Sequence, residues 1–198
     1  MIAILDYGSG NIRSVQRALE RIGLAVEVTS DSTVAKNATA LAVPGVGAYG
    51  SCLAQLRAIG GDEIIKERVA RGAAVLGICV GMQILFEGSD EGDVSEGLAL
   101  IPGRVRRLDA PVLPHIGWNR VVADPKSRVF AGIESERFYF VHSYAITKKS
   151  ESAINTTSEY GGEFLAAIEQ GPLTAVQFHP EKSGAAGARL LANWAATL

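Results

Sequence analysis

Over the first 80 residues, short apolar runs alternate with stretches of helical period, and this alternation restricts the fold more than any other feature. Ile2–Leu5 is uncharged and apolar, the pattern of a buried strand. A turn cluster follows at 6–11. Ile12, Val15, Leu19 and Ile22 then recur at intervals of three and four residues, with Arg13, Arg17, Glu20 and Arg21 on the other face. Gly23 ends that helix. Further strands are expected at 24–28, 41–43 and 73–78, and helices at 49–59 and 62–71. Repeated strand–helix units of this length bury a parallel sheet between helices, which predicts a doubly wound α/β fold.

The second half changes character. Strands are expected at 98–101, 105–108, 118–122, 138–146, 153–157, 164–169 and 174–178, punctuated by Gly and Pro. They are read as additional antiparallel strands that extend or flank the main sheet. A closing helix is expected at 185–197, with Leu190, Leu191 and Trp194 toward the core. No repeat or linker interrupts the chain, so residues 1–198 are expected to form one domain.

Bulk composition excludes several classes of function. With 47% apolar and 20% charged residues the chain is ordinary globular material. The net charge of −2 carries no block of one sign, against a nucleic-acid or membrane surface. An apolar strand begins at once, without a basic leader, and no apolar run is long enough to span a bilayer. A cytoplasmic location is expected, with Cys52 and Cys79 as reduced thiols.

Chemistry concentrates at Gly77-Ile78-Cys79-Val80-Gly81. A buried strand ends there and a helical pattern follows through Met82, Ile84, Leu85 and Phe86. This is the arrangement of a nucleophile elbow with Cys in place of Ser. A thiol at a helix N-terminus is biased toward thiolate, and the Val80 N–H is placed to donate to an oxyanion. The competing reading is a structural cysteine between packing glycines. A thiol nucleophile needs a base, and of the histidines at 115, 142 and 179, His179 follows a predicted strand, with Glu181 two residues on to orient it. The competing reading there is a polar residue at a strand end. The three histidines could alternatively ligate a metal, but no paired ligand spacing is present, so neither metal nor cofactor is expected. Gly8-Ser9-Gly10 and Gly45-Val46-Gly47 are too short to be phosphate cradles and read as turns.

Gly-Ile-Cys-Val-Gly-Met-Gln at 77–83 with His-Pro-Glu at 179–181 resembles the class I, triad-type glutamine amidotransferases. Within that class the chain is similar to the glutaminase subunits of imidazole glycerol phosphate synthase. The motifs that carry this are Asp-Tyr-Gly-Ser-Gly-Asn at 6–11, Pro-Gly-Val-Gly-Ala at 44–48, Pro-His-Ile-Gly-Trp-Asn at 114–119, Tyr-Phe-Val-His-Ser-Tyr at 139–144 and Gln-Phe-His-Pro-Glu-Lys-Ser at 177–183. The resemblance implies a flavodoxin-like fold and a Cys79–His179–Glu181 triad. It assigns Gly45, Val46 and Gly47 to an oxyanion strand that joins the Val80 N–H. It gives Gln83, Glu91, Ser143 and Tyr144 to the glutamine amino and carboxylate groups. It turns Asn11, Trp118, Tyr139 and Lys182 toward a partner, a (βα)8-barrel cyclase subunit of histidine biosynthesis. A peptide in the oxyanion strand that faces away until the partner is loaded is also implied. Val80 and Ile84 stand where leucine is more usual, and Gly184 where the family often has Gln. Rival functions are a glutaminase subunit of another synthase such as that of pyridoxal phosphate, a catalytically silent module on the same fold, and a thiol peptidase.

Overall fold

The structure, a computed structural model, describes residues 1–92 and 95–198. Its first part reads β1 (Ile2–Leu5), α1 (Ile12–Arg21), β2 (Val26–Thr29), α2 (Ser32–Asn37), β3 (Ala40–Gly45), α3 (Tyr49–Ala58), α4 (Gly61–Ala70) and β4 (Ala74–Cys79). Then come α5 (Val80–Gln83), β5 (Phe86–Ser89), β6 (Ser95–Glu96), β7 (Ile101–Arg107), β8 (His115–Arg120), β9 (Arg137–His142), β10 (Tyr144–Ile146), β11 (Ile154–Glu159), β12 (Glu163–Gln170) and β13 (Leu173–Val176). A short 3-10 turn at Pro180–Lys182 and α6 (Gly184–Ala195) close the chain.

Seven strands form the main sheet in the order β11-β12-β13-β4-β3-β1-β2. Neighbours from β2 across to β13 are parallel, while β12 and β11 are antiparallel. The interior strands β1, β3 and β13 are buried at every residue, as strands covered on both faces must be. The α/β expectation with antiparallel additions therefore describes this sheet. A four-stranded sheet, β10-β7-β5-β6, and the β8–β9 hairpin flank it. Leu190, Leu191 and Trp194 of α6 are buried as the pattern required.

Several expected boundaries differ. The helical pattern after Cys79 does not run to Phe86: α5 ends at Gln83 and Phe86 already begins β5. Met82, Ile84, Leu85 and Phe86 are all fully buried, and an apolar run buried all round carries no period to separate helix from strand. Of the strand expected at 98–101 only Ile101 is strand, the first residue of β7; residues 98–100 are a loop whose Leu98 and Leu100 N–H groups donate to the Ile84 and Leu85 carbonyls. The expected strand at 138–146 is two strands broken at Ser143, with β9 on β8 and β10 on β7. Helix α2 carried no apolar stripe and was not expected. Asp31 caps it, accepting from the Thr33 and Val34 N–H groups at 2.7 and 3.1 Å.

Among the described residues no helix is long and apolar enough to cross a membrane.

Candidate active site

Strand β4 carries Cys79 into a turn whose backbone, φ 56° and ψ −115°, is one that L residues rarely adopt. The local sequence makes this possible. A Cβ on Gly81 would overlap the Val43 carbonyl oxygen, and one on Gly77 would come within 2.7 Å of the Gly81 oxygen. Both positions must therefore be glycine for α5 to start directly against β3 and β4. Positive φ at a non-glycine residue costs of the order of 1–3 kcal/mol and persists where surrounding packing imposes it. Here β4 is clamped between β3 and β13.

His179 arrives from the C-terminal end of β13, next to β4 in the sheet. Phe178 is fully buried and stacks on Phe138 with centroids 4.3 Å apart, which anchors the segment. The His179 N–H donates to the Tyr139 carbonyl at 2.9 Å. Ser183 accepts from the Tyr139 N–H at 3.0 Å and donates to the His179 carbonyl at 2.7 Å. The main chain of the histidine is thus held to β9 and to the following turn. Its Nδ1 is bonded to Glu181 Oε1 at 2.8 Å, and that carboxylate oxygen also accepts from Asn11 Nδ2 at 3.2 Å. The other oxygen, Oε2, is buried without a partner. Burial opposes charging of the imidazole. Hydrogen bonds to Cys79 and Glu181, reinforced by their negative charge, outweigh it and push the His179 pKa up to about 9.

The thiols differ. Cys52 is 1% exposed beneath β3, its sulfur 3.1 Å from the Tyr7 hydroxyl, and burial pushes its pKa up. Tyr7 in turn donates to the Pro44 carbonyl at 2.6 Å, pinning the start of the 44–47 turn. Cys79 instead lines a cleft of about 260 Å3. The same cleft is lined by His179, Val80, Val46 and Gly47 and by Gln83, Glu91, Ser143 and Tyr144.

All four residues expected to hold glutamine therefore share one cleft with Cys79 and His179. Gln83 has its Nε2 engaged, at 2.9 Å to the Tyr144 carbonyl and 3.0 Å to Gln177 Oε1, which leaves Oε1 for a ligand. Glu91 Oε2 accepts from the Tyr49 N–H at 3.0 Å. Of the expected oxyanion strand, Gly45 is paired beside Cys79 in the sheet. The Val46 N–H donates to Ser9 Oγ at 3.2 Å, and that hydroxyl donates back to the Val46 carbonyl at 2.9 Å. The Val46 N–H is thereby turned to Ser9.

The residues expected to face a partner gather on one side of the cleft. Trp118 is 53% exposed and meets the Tyr139 ring edge-on at 6.1 Å, and the Lys182 ammonium lies 5.9 Å from the same ring. Asn11 points inward to Glu181 as well. Gly184 has φ 57°, and a Cβ there would reach within 3.9 Å of the Trp118 ring, so the missing Gln side chain is one that would extend along this face. Residues that motif reading passed over include Ser9, Ser183 and Gln177. Each lay inside a quoted motif, but only the fold shows what it touches.

The fold has known counterparts. The pattern of the glutamine amidotransferase class-I family matches residues 3–198, and the chain belongs to that family. Among solved structures, one titled "Crystal structure of glutamine amidotransferase" superimposes with a TM-score of 0.78 at 21% identity, covering 98% of this chain and 96% of the other. The "Structure of PurLQS from Thermotoga maritima" gives 0.76 at 18%, covering 99% and 97%. At such identities these establish the fold alone. "Imidazole glycerol phosphate synthase subunit HisH" of Mycolicibacterium paratuberculosis is 57% identical, over 98% of this chain and 96% of that protein. The protein of the same name from Thermobifida fusca is 55% identical over 100% and 98%. Within its class the chain is a member of this HisH family, the glutaminase subunits of imidazole glycerol phosphate synthase.

Proposed function

We propose that Cys79, His179 and Glu181 are the triad with which this subunit hydrolyses the side-chain amide of glutamine. The observation that carries the reading is the meeting, in one small cleft, of a cysteine at a strained strand-to-helix turn with an imidazole already bonded to a buried carboxylate. The Cys79 thiolate attacks Cδ of glutamine. The oxyanion is stabilised by the Val80 N–H and by an N–H of the 45–47 strand. Imidazolium His179 gives its proton to the departing ammonia, leaving a thioester on Cys79, and then takes a proton from the water that hydrolyses it. Glu181 holds the Nδ1 proton throughout. Gln83, Glu91, Ser143 and Tyr144 hold the amino-acid end of the substrate. A cleft of about 260 Å3 is of a size for one amino acid.

Ammonia released into water becomes ammonium and loses its nucleophilic lone pair. The product must therefore pass directly to a docked partner. We take that partner to be a (βα)8-barrel cyclase, forming a cytoplasmic heterodimer over the Trp118, Tyr139 and Lys182 face, with residues 1–198 acting as one amidotransferase domain. In the barrel, ammonia and a ribulosyl intermediate give imidazole glycerol phosphate and the aminoimidazole carboxamide ribotide. The lyase step belongs to that subunit, and hydrolysis to this one. With the Val46 N–H held by Ser9, the isolated chain should release ammonia slowly and accelerate when the loaded partner binds. Ammonia release measured with and without the partner tests this, and full activity of the chain alone contradicts it.

A further inference from the structure

Gln177, the residue after β13, has no part in the mechanism above, yet it is fully buried and its side-chain amide is bonded at both ends. Oε1 accepts from Gln83 Nε2 at 3.0 Å, and Nε2 is directed at Cys79 Sγ at 3.8 Å. The amide has only one sensible orientation, because turning it over would set its NH2 against that of Gln83.

Gln83 is itself fixed. Its Nε2 also donates to the Tyr144 carbonyl at 2.9 Å, and the same carbonyl is bonded to His142 Nδ1 at 3.0 Å. A carbonyl only accepts, so Nδ1 of His142 carries the proton and Nε2 is an acceptor. His115 Nδ1, 3.1 Å from that Nε2, must then be the donor. Its own Nε2 is left to accept from Asn119 Nδ2 at 3.4 Å, and that amide also donates to the Glu159 carbonyl at 2.9 Å. Register does the rest, since His115 and His142 are direct cross-strand partners in the β8–β9 hairpin. Burial keeps both rings neutral, lowering His115 to about 4. It lowers His142 to about 3 against the opposing Tyr144 hydrogen bond, with His115 and His179 pushing the same way as burial. Each ring therefore stays in one tautomer at neutral pH, and the donor direction runs one way from Asn119 to the Tyr144 carbonyl.

We propose that Gln177 is a catalytic residue of the Cys79 site, donating its side-chain N–H to the sulfur anion, and that His142 and His115 are positioning residues that hold in place the Tyr144 carbonyl, the acceptor against which Gln83 orients this amide. The inference rests on Cys79 being the nucleophile. It places a side-chain donor at the sulfur, where the four-residue α5 is too short to act through a helix dipole. It also ties the sulfur, by an unbroken series of hydrogen bonds, to the strand that bears Trp118.

The test is peptide-resolved alkylation of Cys79 by iodoacetamide at neutral pH in the full chain, read alongside steady-state glutaminase kinetics of its complex with the partner subunit. Gln177→Met keeps length and loses the donor. Alkylation and kcat should each fall roughly three- to tenfold, with KM for glutamine little changed. Gln177→Glu puts an acceptor at the same place and should fall further. His142→Leu should reproduce part of the loss, and His142→Asn, which can still donate to the Tyr144 carbonyl, should recover it. In the unsubstituted chain the Gln177 side-chain NH2 resonances should shift when Cys79 is alkylated, a readout that needs no variant to fold. Normal alkylation and kcat in a folded Gln177→Met protein, or unmoved NH2 resonances, would overturn the proposal. Cys79→Ala separates the two levels. If it retains glutamine turnover, the triad itself is wrong. If it is inactive while Gln177→Met behaves normally, only the role of Gln177 is lost.

Discussion

Arg68 and Cys79 sit at opposite ends of β4, both buried, both capable of charge, and they are treated in opposite ways. Arg68 projects from α4 to the end where β3 and β4 begin, is fully buried, and has five main-chain carbonyls within 3.2 Å of its two terminal nitrogens. Four of these, from Ala35, Lys36, Ala38 and Thr39, belong to the last turn of α2 and the segment after it, where a helix leaves its carbonyls unpaired. The guanidinium completes a set of acceptors that would otherwise be orphaned. At the other end, Cys79 has a strained backbone, its sulfur faces the His179 imidazole and a long N–H bond from Gln177, and Glu181 Oε2 nearby has no partner. At the Arg68 end the two terminal nitrogens are fully used, though its Nε is buried without a partner as Glu181 Oε2 is. The difference between the ends lies in what the side chain holds: main-chain carbonyls of the fold in one case, the lining of an open cleft in the other. The two ends should therefore respond differently to removal of their central side chain.

The sharpest separation comes from Cys79→Ala. Glutamine hydrolysis should fall by on the order of 10^4-fold or more, while the melting temperature stays within about 2 °C of the parent. With the partner subunit, synthesis from added ammonium salts should survive. Persistent glutamine turnover would remove the functional half of the contrast. Arg68→Met is the mirror experiment. Five carbonyls lose their donor, and stability measured by urea titration should drop by about 3–5 kcal/mol. The rate per folded molecule should remain within about twofold. A large rate loss without a stability loss would show that the N-terminal end of the sheet is not merely structural.

Acidity probes the cleft side again. The imidazoles of His115 and His142 are lowered to about 4 and about 3, below the ordinary value near 6.5. The unfolded chain thus binds protons that the folded one refuses. Their stabilising effect is complete above about pH 6.5 and is lost as pH falls toward 4, by about 2 kcal/mol for each ring and about 4 kcal/mol for the pair between pH 7 and pH 5. His179, raised to about 9, behaves the opposite way: what it contributes is present below pH 6.5 and lost as pH rises through 9. Urea titrations at pH 5, 6 and 7 should show the acid slope, and His115→Phe, placed between Tyr160 and Phe140, should roughly halve it. An unchanged slope would mean that the pair is not held neutral by the fold.

The sequence makes the two ends unequally legible. Cys79 and His179 could be singled out because cysteine and histidine are scarce in this chain and sit in distinctive local settings, and Glu181 through its place two residues after His179. The βα alternation likewise placed the elements of the first half apart from α2. Arg68 could not be read. In sequence it is one cation among several on a helix, and its burial depends on α2, a six-residue helix without an apolar stripe. His115 and His142 were visible only as separate residues, since their contact is created by hairpin register, which the sequence leaves undetermined when an apolar run such as 138–146 hides a break at Ser143. Gln177 was visible as a letter in a motif. Its meaning lies in which end of its amide faces sulfur, and that is decided by Gln83 and a carbonyl elsewhere in the chain.

The smallest effect tests whether the Arg68 cluster acts as one unit. At six residues, α2 is too short to persist by itself, so its ends must be held. Asp31 holds the first turn through the Thr33 and Val34 N–H groups, and Arg68 holds carbonyls of the last. Asp31→Ala should lower stability by about 1 kcal/mol, with no change in glutamine turnover. In an Arg68→Met background the same substitution should matter much less, below about 0.5 kcal/mol, because a helix already frayed at its C-terminus has little left for an N-terminal cap to stabilise. If the two losses simply add, α2 remains folded without the guanidinium. The cost of removing Arg68 is then confined to the carbonyls it leaves unpaired, and the helix owes its persistence to the burial of Ala35 against the core.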